Sequence, residues 1–176
     1  MATSPTPSAS SRVHEAKRPI TRLAGPYGHP FHPILVTVPI GAWIGSFAFD
    51  IASRFADEKV IFVKGAYWLI ALGLLGAVGA AFFGMLDLLA IPRGTAAFRT
   101  GVLHLLLNSS VVALYAVNLA VRASRLDRAG AVPVALVALS AVALLILSAS
   151  GWLGGKLAYR YGVRVVDESD QAEGYT

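Results

Sequence analysis

The sequence predicts an all-α fold, a four-helix transmembrane bundle that runs up-down-up-down with both termini on the same side. Three observations predict it. Of the 176 residues, 56% are hydrophobic and only 14% charged, against about 25% charged in an ordinary soluble domain. Mean hydropathy is +0.63. Stretches free of Asp, Glu, Lys and Arg run from Leu23 to Phe49, Gly65 to Leu86, Thr100 to Val121 and Ala129 to Gly155, and each can supply the ~20 apolar residues that cross a bilayer as helix. Spans are expected at about 33–53, 65–91, 100–122 and 131–154 within a membrane domain covering 28–160. A flexible polar N-terminal tail, 1–27, and a polar C-terminal tail, 161–176, flank it. The lipid bilayer is the first expected partner. So little chain lies outside the spans that no soluble domain is expected, and the chain is not expected to be an enzyme on its own.

The first span begins at Pro33, which suits a first helical turn because its missing N–H would have been unpaired there. Pro39 should kink it, with Thr37 softening the lost hydrogen bond. Gly41 and Gly45 in the first span, and Gly76, Ala80 and Gly84 in the second, share a four-residue register. Such small residues let backbones approach where lipid supplies little drive between helices. Gly151, Gly154 and Gly155 should serve the end of the fourth span in the same way. No repeat suggests duplicated halves.

With no cysteine, disulfides, iron–sulfur ligation, thiolate catalysis and c-type haem attachment are excluded. The Ser/Pro/Thr/Ala stretch Met1 to Ser11 carries no apolar segment with a cleavage site, so no cleavable signal peptide is expected. The net charge of +5 comes from cations that flank spans rather than form a stripe, which points to topology and not to nucleic acid. Nine Lys and Arg fall on the terminal side (Arg12, Lys17, Arg18, Arg22, Arg93, Arg99, Lys156, Arg160, Arg164). Six fall opposite: Arg54, Lys59, Lys64, Arg122, Arg125 and Arg128. The excess places the termini in the cytoplasm.

Alternating helix direction brings distant polar residues to one depth. His29 and His32 precede the first span on the terminal side, Asp87 closes the second, His104 and Asn108 open the third, and Lys156 and Arg160 end the fourth. Ionisable groups within spans are costly and mark function by default. Asp87 follows the Gly76/Ala80/Gly84 face and should point to a neighbouring helix. His104 and Asn108 lie four apart on one face. In His29-Pro30-Phe31-His32-Pro33 each histidine is stiffened by the proline after it.

This set suits three readings. A b-type haem would take one axial histidine from the first entry and His104, with propionates near Arg99, Lys156 or Arg160. A zinc, iron or copper site would use His29, His32, His104 and Asp87, or Asp87 would orient His104. Alternatively, the same residues only fasten helices together.

Other features weigh less. Asp50 lies four residues before Arg54 and should pair with it. Trp43, Trp68, Tyr67, Trp152 and Tyr159 read as interfacial anchors. Asn108-Ser109-Ser110 matches a glycosylation acceptor but falls inside a span. Ser148 and Ser150 lack a base nearby in sequence and are not read as nucleophiles.

The pattern resembles a bacterial family of predicted membrane proteins, domain of unknown function 2231. It is carried by His29-Pro30-Phe31-His32-Pro33, Pro39-Ile40-Gly41, Phe49-Asp50, Gly84-Met85-Leu86-Asp87, His104 to Asn108, and the run Ser150 to Val163. The resemblance implies a four-helix module in the bacterial cell membrane, one that is sometimes joined to redox domains of the Rieske type. The expectation is therefore a multi-pass haem b or metal-binding module for electron transfer, with respiratory-chain or other membrane redox proteins, or a second copy, as partners. A non-catalytic membrane subunit or assembly protein is the alternative.

Overall fold

In a computed structural model, residues 8–126 and 130–176 are described. Arg128 and the start of the N-terminal tail lie outside the described residues. The chain forms α1 (Ala9–Lys17), α2 (Phe31–Leu35), α3 (Thr37–Ala52), α4 (Lys59–Leu89), α5 (Ala96–Ala123), α6 (Val134–Gly155) and α7 (Glu168–Ala172). Among the described residues four stretches are long and apolar enough to cross a membrane: Phe31–Ala52, Lys59–Leu89, Ala96–Ala123 and Val134–Arg160. The second and third extend beyond the expected bounds because Lys59, Lys64, Arg99 and Arg122 lie on helix and not in connectors.

The first span breaks between α2 and α3 at Val36. Pro39 is the cause: it has no N–H for the Leu35 carbonyl, and its ring crowds that carbonyl. The Thr37 hydroxyl donates to Ile34 O (2.7 Å) and satisfies a neighbouring acceptor. α3 packs on α4, α4 on α5, α5 on α6 and α6 back on α3, closing the ring of helices. At mid-depth the Trp43 and Tyr115 rings stack at 4.4 Å, with Ile70, Ala77, Val111 and Ala143 around them. Trp43 is thus core and not an interfacial anchor, because the small Gly73 on α4 leaves a slot for its indole. Trp43 Nε1 and Tyr115 Oη have no hydrogen-bond partner among the described residues.

At the end of the bundle away from the termini lies an ion pair that sequence spacing mispairs. Asp50 bonds Arg122 through both oxygens (2.7 and 2.6 Å) and does not pair with Arg54. The helix ends at Ala52, before Arg54, and the pull of the interior decides the pairing. Asp50 is fully buried on α3 and can be neutralised only from a facing helix, whereas Arg54 turns to donate to Val132 O (2.9 Å). Asn118 completes the set, accepting from Arg122 Nε (2.7 Å) and donating to Ser140 Oγ (2.9 Å) and Leu136 O (3.1 Å). The network ties α3, α5 and α6 together.

The described residues before the first span and after the fourth are also folded. Ser8 caps α1 by accepting from Ser11 N (3.2 Å). Ala16 of α1 packs with Ile91 and Val163, and Arg164 N donates to Ala16 O (3.1 Å). Lys17 bonds Asp167 (3.1 Å), and the Tyr27 hydroxyl donates to Asp167 Oδ2 (3.1 Å). The two ends of the chain therefore form one cap at the same end of the bundle. The hydrogen bond to Asp167 holds the Lys17 ammonium above its ordinary range, outweighing the opposing effect of burial. The same bond holds the Asp167 carboxyl below its own range.

Two predictions follow from these pairs. Removing one partner of a buried ion pair leaves an uncompensated charge, so Asp50→Ala or Arg122→Ala should each lower detergent unfolding stability by about 3–5 kcal/mol. The double variant should lose less than the sum; strict additivity in unfolding curves would count against the pairing. The cap should be pH-sensitive at both extremes. Asp167 has a depressed pKa, so its contribution is present above the unfolded carboxylate value of about 4 and lost as pH falls through the lower folded value. Lys17 has a raised pKa, so its contribution is present below about 10.4 and lost as pH rises through the higher folded value. Amide exchange in α1 should be slow between these limits and faster outside both, and a flat profile would contradict the assignment.

Candidate functional site

Toward the cap end, small residues on α4 and α6 make room for two imidazoles. A Cβ on Gly84 would sit 2.8 Å from the His32 ring, and one on Gly154 would sit 3.2 Å from His104 Cε1. These absences of side chain let each ring lie against the neighbouring backbone and reach its carbonyl. His32 Nδ1 donates to Ala80 O (2.8 Å) and His104 Nδ1 to Ser150 O (2.8 Å). A carbonyl only accepts, so in both rings the proton is on Nδ1 and the Nε2 lone pair is left for another partner. The ring centroids are 6.2 Å apart with planes at 87°. At 1.5 Å per residue, His104 lies about 12 Å along α5 from its start at Ala96.

The partners of His104 are denser than those of His32. Asn108 Nδ2 donates to His104 O (3.0 Å) and contacts His104 Nε2 (3.0 Å). Ser150 Oγ donates to His104 O (3.2 Å) and lies 3.0 Å from Nδ1. His32 Nε2 has no hydrogen-bond partner among the described residues.

Of the residues expected to gather here, His32, His104 and Asn108 do, and the others do not. His29 is exposed at the chain entry. Asp87 does not orient His104; its Oδ1 pairs with Arg164 Nε at 2.8 Å. The reason is position: Asp87 lies two residues from the end of α4, level with the cap, where Arg164 is buried and needs an anion. Arg164 adopts φ +61° and donates through Nη2 to Ala24 O (3.1 Å) and Gly25 O (3.0 Å). Among the described residues no three His, Cys, Asp or Glu side chains cluster as a ligand set, so His29, His32, His104 and Asp87 do not form a four-ligand metal site. Arg99 and Arg160 are exposed, and Lys156 Nζ lies over the Trp152 and Tyr161 rings at 5.6 and 5.5 Å.

Ser150, Asn118, Arg122 and Arg164 are the residues that sequence reasoning left out. A signal for two of them, Asn118 and Arg122, exists in the spacing. His104, Asn108, Val111, Tyr115, Asn118 and Arg122 follow alternating steps of four and three along α5 and describe one inward stripe. Arg164 carries no comparable signal.

This geometry, with a buried polar stripe inside four apolar helices, meets an independent comparison. A family model described as "Predicted membrane protein (DUF2231)" matches residues 28–167. The chain belongs to that family. The match in this DUF2231 protein begins just before the His29–Pro33 entry and ends at Asp167, and so takes in both histidine rings and the Asp87–Arg164 pair. No curated protein and no solved structure matches the chain.

The glycine slots supply a test. Gly84→Ala must displace the His32 ring and should destabilise the bundle by about 1–3 kcal/mol. Gly41, expected on a packing face, has open space around its Cβ position because it points outward. Gly41→Ala should therefore be neutral or stabilising by up to about 1 kcal/mol. Thermal unfolding in detergent compares them, and equal effects would contradict the slot assignment.

Proposed function

We propose that this multi-pass membrane protein uses His32 and His104 as the two protein ligands of one metal centre, with haem b iron its leading form, serving electron transfer beside other membrane redox proteins. One observation supports the reading: two imidazoles with Nδ1 committed to backbone carbonyls stand 6.2 Å apart. Two imidazoles that share a metal end-on, with metal–nitrogen bonds of about 2.0 Å, have centroids roughly 6 Å apart. His32 and His104 would each offer one Nε2 to such a centre.

The chemistry supplied by such a group is one-electron transfer. The residues of this chain do the rest. The Ala80 and Ser150 carbonyls fix tautomer and ring orientation and make Nε2 a better donor. Asn108 holds His104 Nε2 through its amide and must turn away for that nitrogen to bind a metal. The Trp43–Tyr115 stack closes the interior beyond the pair against water. The Lys and Arg excess on the cap side favours a cytoplasmic location for the termini in a bacterial cell membrane.

The Asn108 contact also supports a second reading, in which the rings are a clasp in a non-catalytic membrane subunit or assembly protein. A visible spectrum and metal analysis of detergent-purified protein separate the two. The redox reading expects a Soret band or stoichiometric metal that His32→Ala and His104→Ala each abolish, while His29→Ala and His14→Ala leave it intact. Absence of both signals, with the two core variants losing only stability, would leave the clasp.

A further inference from the structure

We propose that the cleft between α1, the α4–α5 connector and the C-terminal segment binds the headgroup of an anionic phospholipid. The cleft has a volume of about 1140 Å³, and its lining includes the apolar Val13, Ile91, Ala97 and Val165. Two guanidinium groups, Arg12 and Arg160, line it as well. Neither has a carboxylate partner among the described residues, whereas the ammonium of Lys17, on the same wall, is engaged by Asp167 (3.1 Å) and Glu168 (3.6 Å). The charge left to the cleft is therefore positive, even with Glu168 on its rim.

Position narrows the occupant further. The cleft touches the ends of two membrane spans through Ala96 and Tyr159, and through Ile91 the chain two residues past a third, so it lies where hydrocarbon gives way to headgroups. Tyr159 is 93% exposed and Trp152 69% exposed, the placement of an interfacial aromatic belt. Guanidinium matches a phosphate by paired, charge-assisted hydrogen bonds, and basic pockets beside spans are where acidic lipids are held. Apolar walls beneath two free cations fit an amphiphile whose phosphodiester meets Arg12 and Arg160 while its chains run down the bundle. This site is separate from the histidine pair and does not depend on what that pair binds.

Native mass spectrometry of the full chain in mild detergent tests it, with phosphatidylglycerol or phosphatidylcholine added. The native protein should retain phosphatidylglycerol in preference to phosphatidylcholine. The Arg12→Gln/Arg160→Gln variant should weaken that retention roughly tenfold, and Arg99→Gln, outside the cleft, should leave it unchanged. Circular dichroism checks that the variants keep their helix. Equal retention of the two lipids would overturn the proposal. So would an equal loss in Arg99→Gln, which would mean general surface charge, or displacement of the lipid by millimolar inorganic phosphate, which would mean a site for free anions.

Discussion

A polar atom placed inside lipid is costly unless it finds a partner within the protein, and that cost organises this molecule more than any single contact. The interior stripe of α5 shows how. His104, Asn108, Tyr115, Asn118 and Arg122 face inward on one helix, and each end of the stripe is answered by a different set of neighbours. At one end the Arg122 guanidinium meets a carboxylate on α3 and an amide on its own helix. At the other the imidazole meets a backbone carbonyl on α6. Between them the stacked Trp43 and Tyr115 rings fill the bundle axis with aromatic surface.

The two ends differ in a way that bears on function. In the Asp50–Arg122–Asn118–Ser140 network both carboxylate oxygens, all three guanidinium nitrogens and both ends of the amide are bonded to another group of the same network or to a carbonyl. Such a closed set suits a fastening, and its geometry selects one arrangement of α3, α5 and α6. The histidine end is open by comparison, since His32 is held at Nδ1 and leaves Nε2 unengaged. Glycine is the enabling residue there. Side chains at Gly84 and Gly154 would hold the rings away from the helices whose carbonyls fix their tautomers.

The bundle was legible because its signals are local: runs of apolar residues long enough to span, and the Gly76/Ala80/Gly84 register on the second span. Pro39 announced the break at Val36 for the same reason. His32, His104 and Asn108 were legible as one cluster from helix direction alone. What could not be read depends on choices among partners. Asp50 has Arg54 one turn away, yet pairs with a residue 72 positions on, because burial penalises an unpaired carboxylate more than proximity on a half-exposed helix end rewards it. Asp87 could serve His104 by depth, but Arg164 reaches it first from a segment expected to be a tail. Glu, Lys and Ser density in a terminal segment indicates solvent, and gives no sign that a neighbouring Arg, Val and Ala are buried against the bundle.

The cap bears directly on the histidine pair. α2, which carries His32, is a five-residue helix separated from α3 by the break at Val36, so its own hydrogen bonds hold it weakly. Its position is set from outside. On one side His32 is bonded to Ala80 O. On the other, the chain leading into α2 is pinned where Arg164 donates to the Ala24 and Gly25 carbonyls and pairs with Asp87 at the end of α4. Gly25, at φ +94°, makes the turn that brings the chain from the cap into α2, and a side chain there would strike the His29 carbonyl. Arg164 therefore positions His32 without touching it, by joining the entry of the first span to the end of the second. The family match reaches past the last span to Asp167, and this linkage gives that reach a physical meaning: the segment after α6 is part of what places the first histidine.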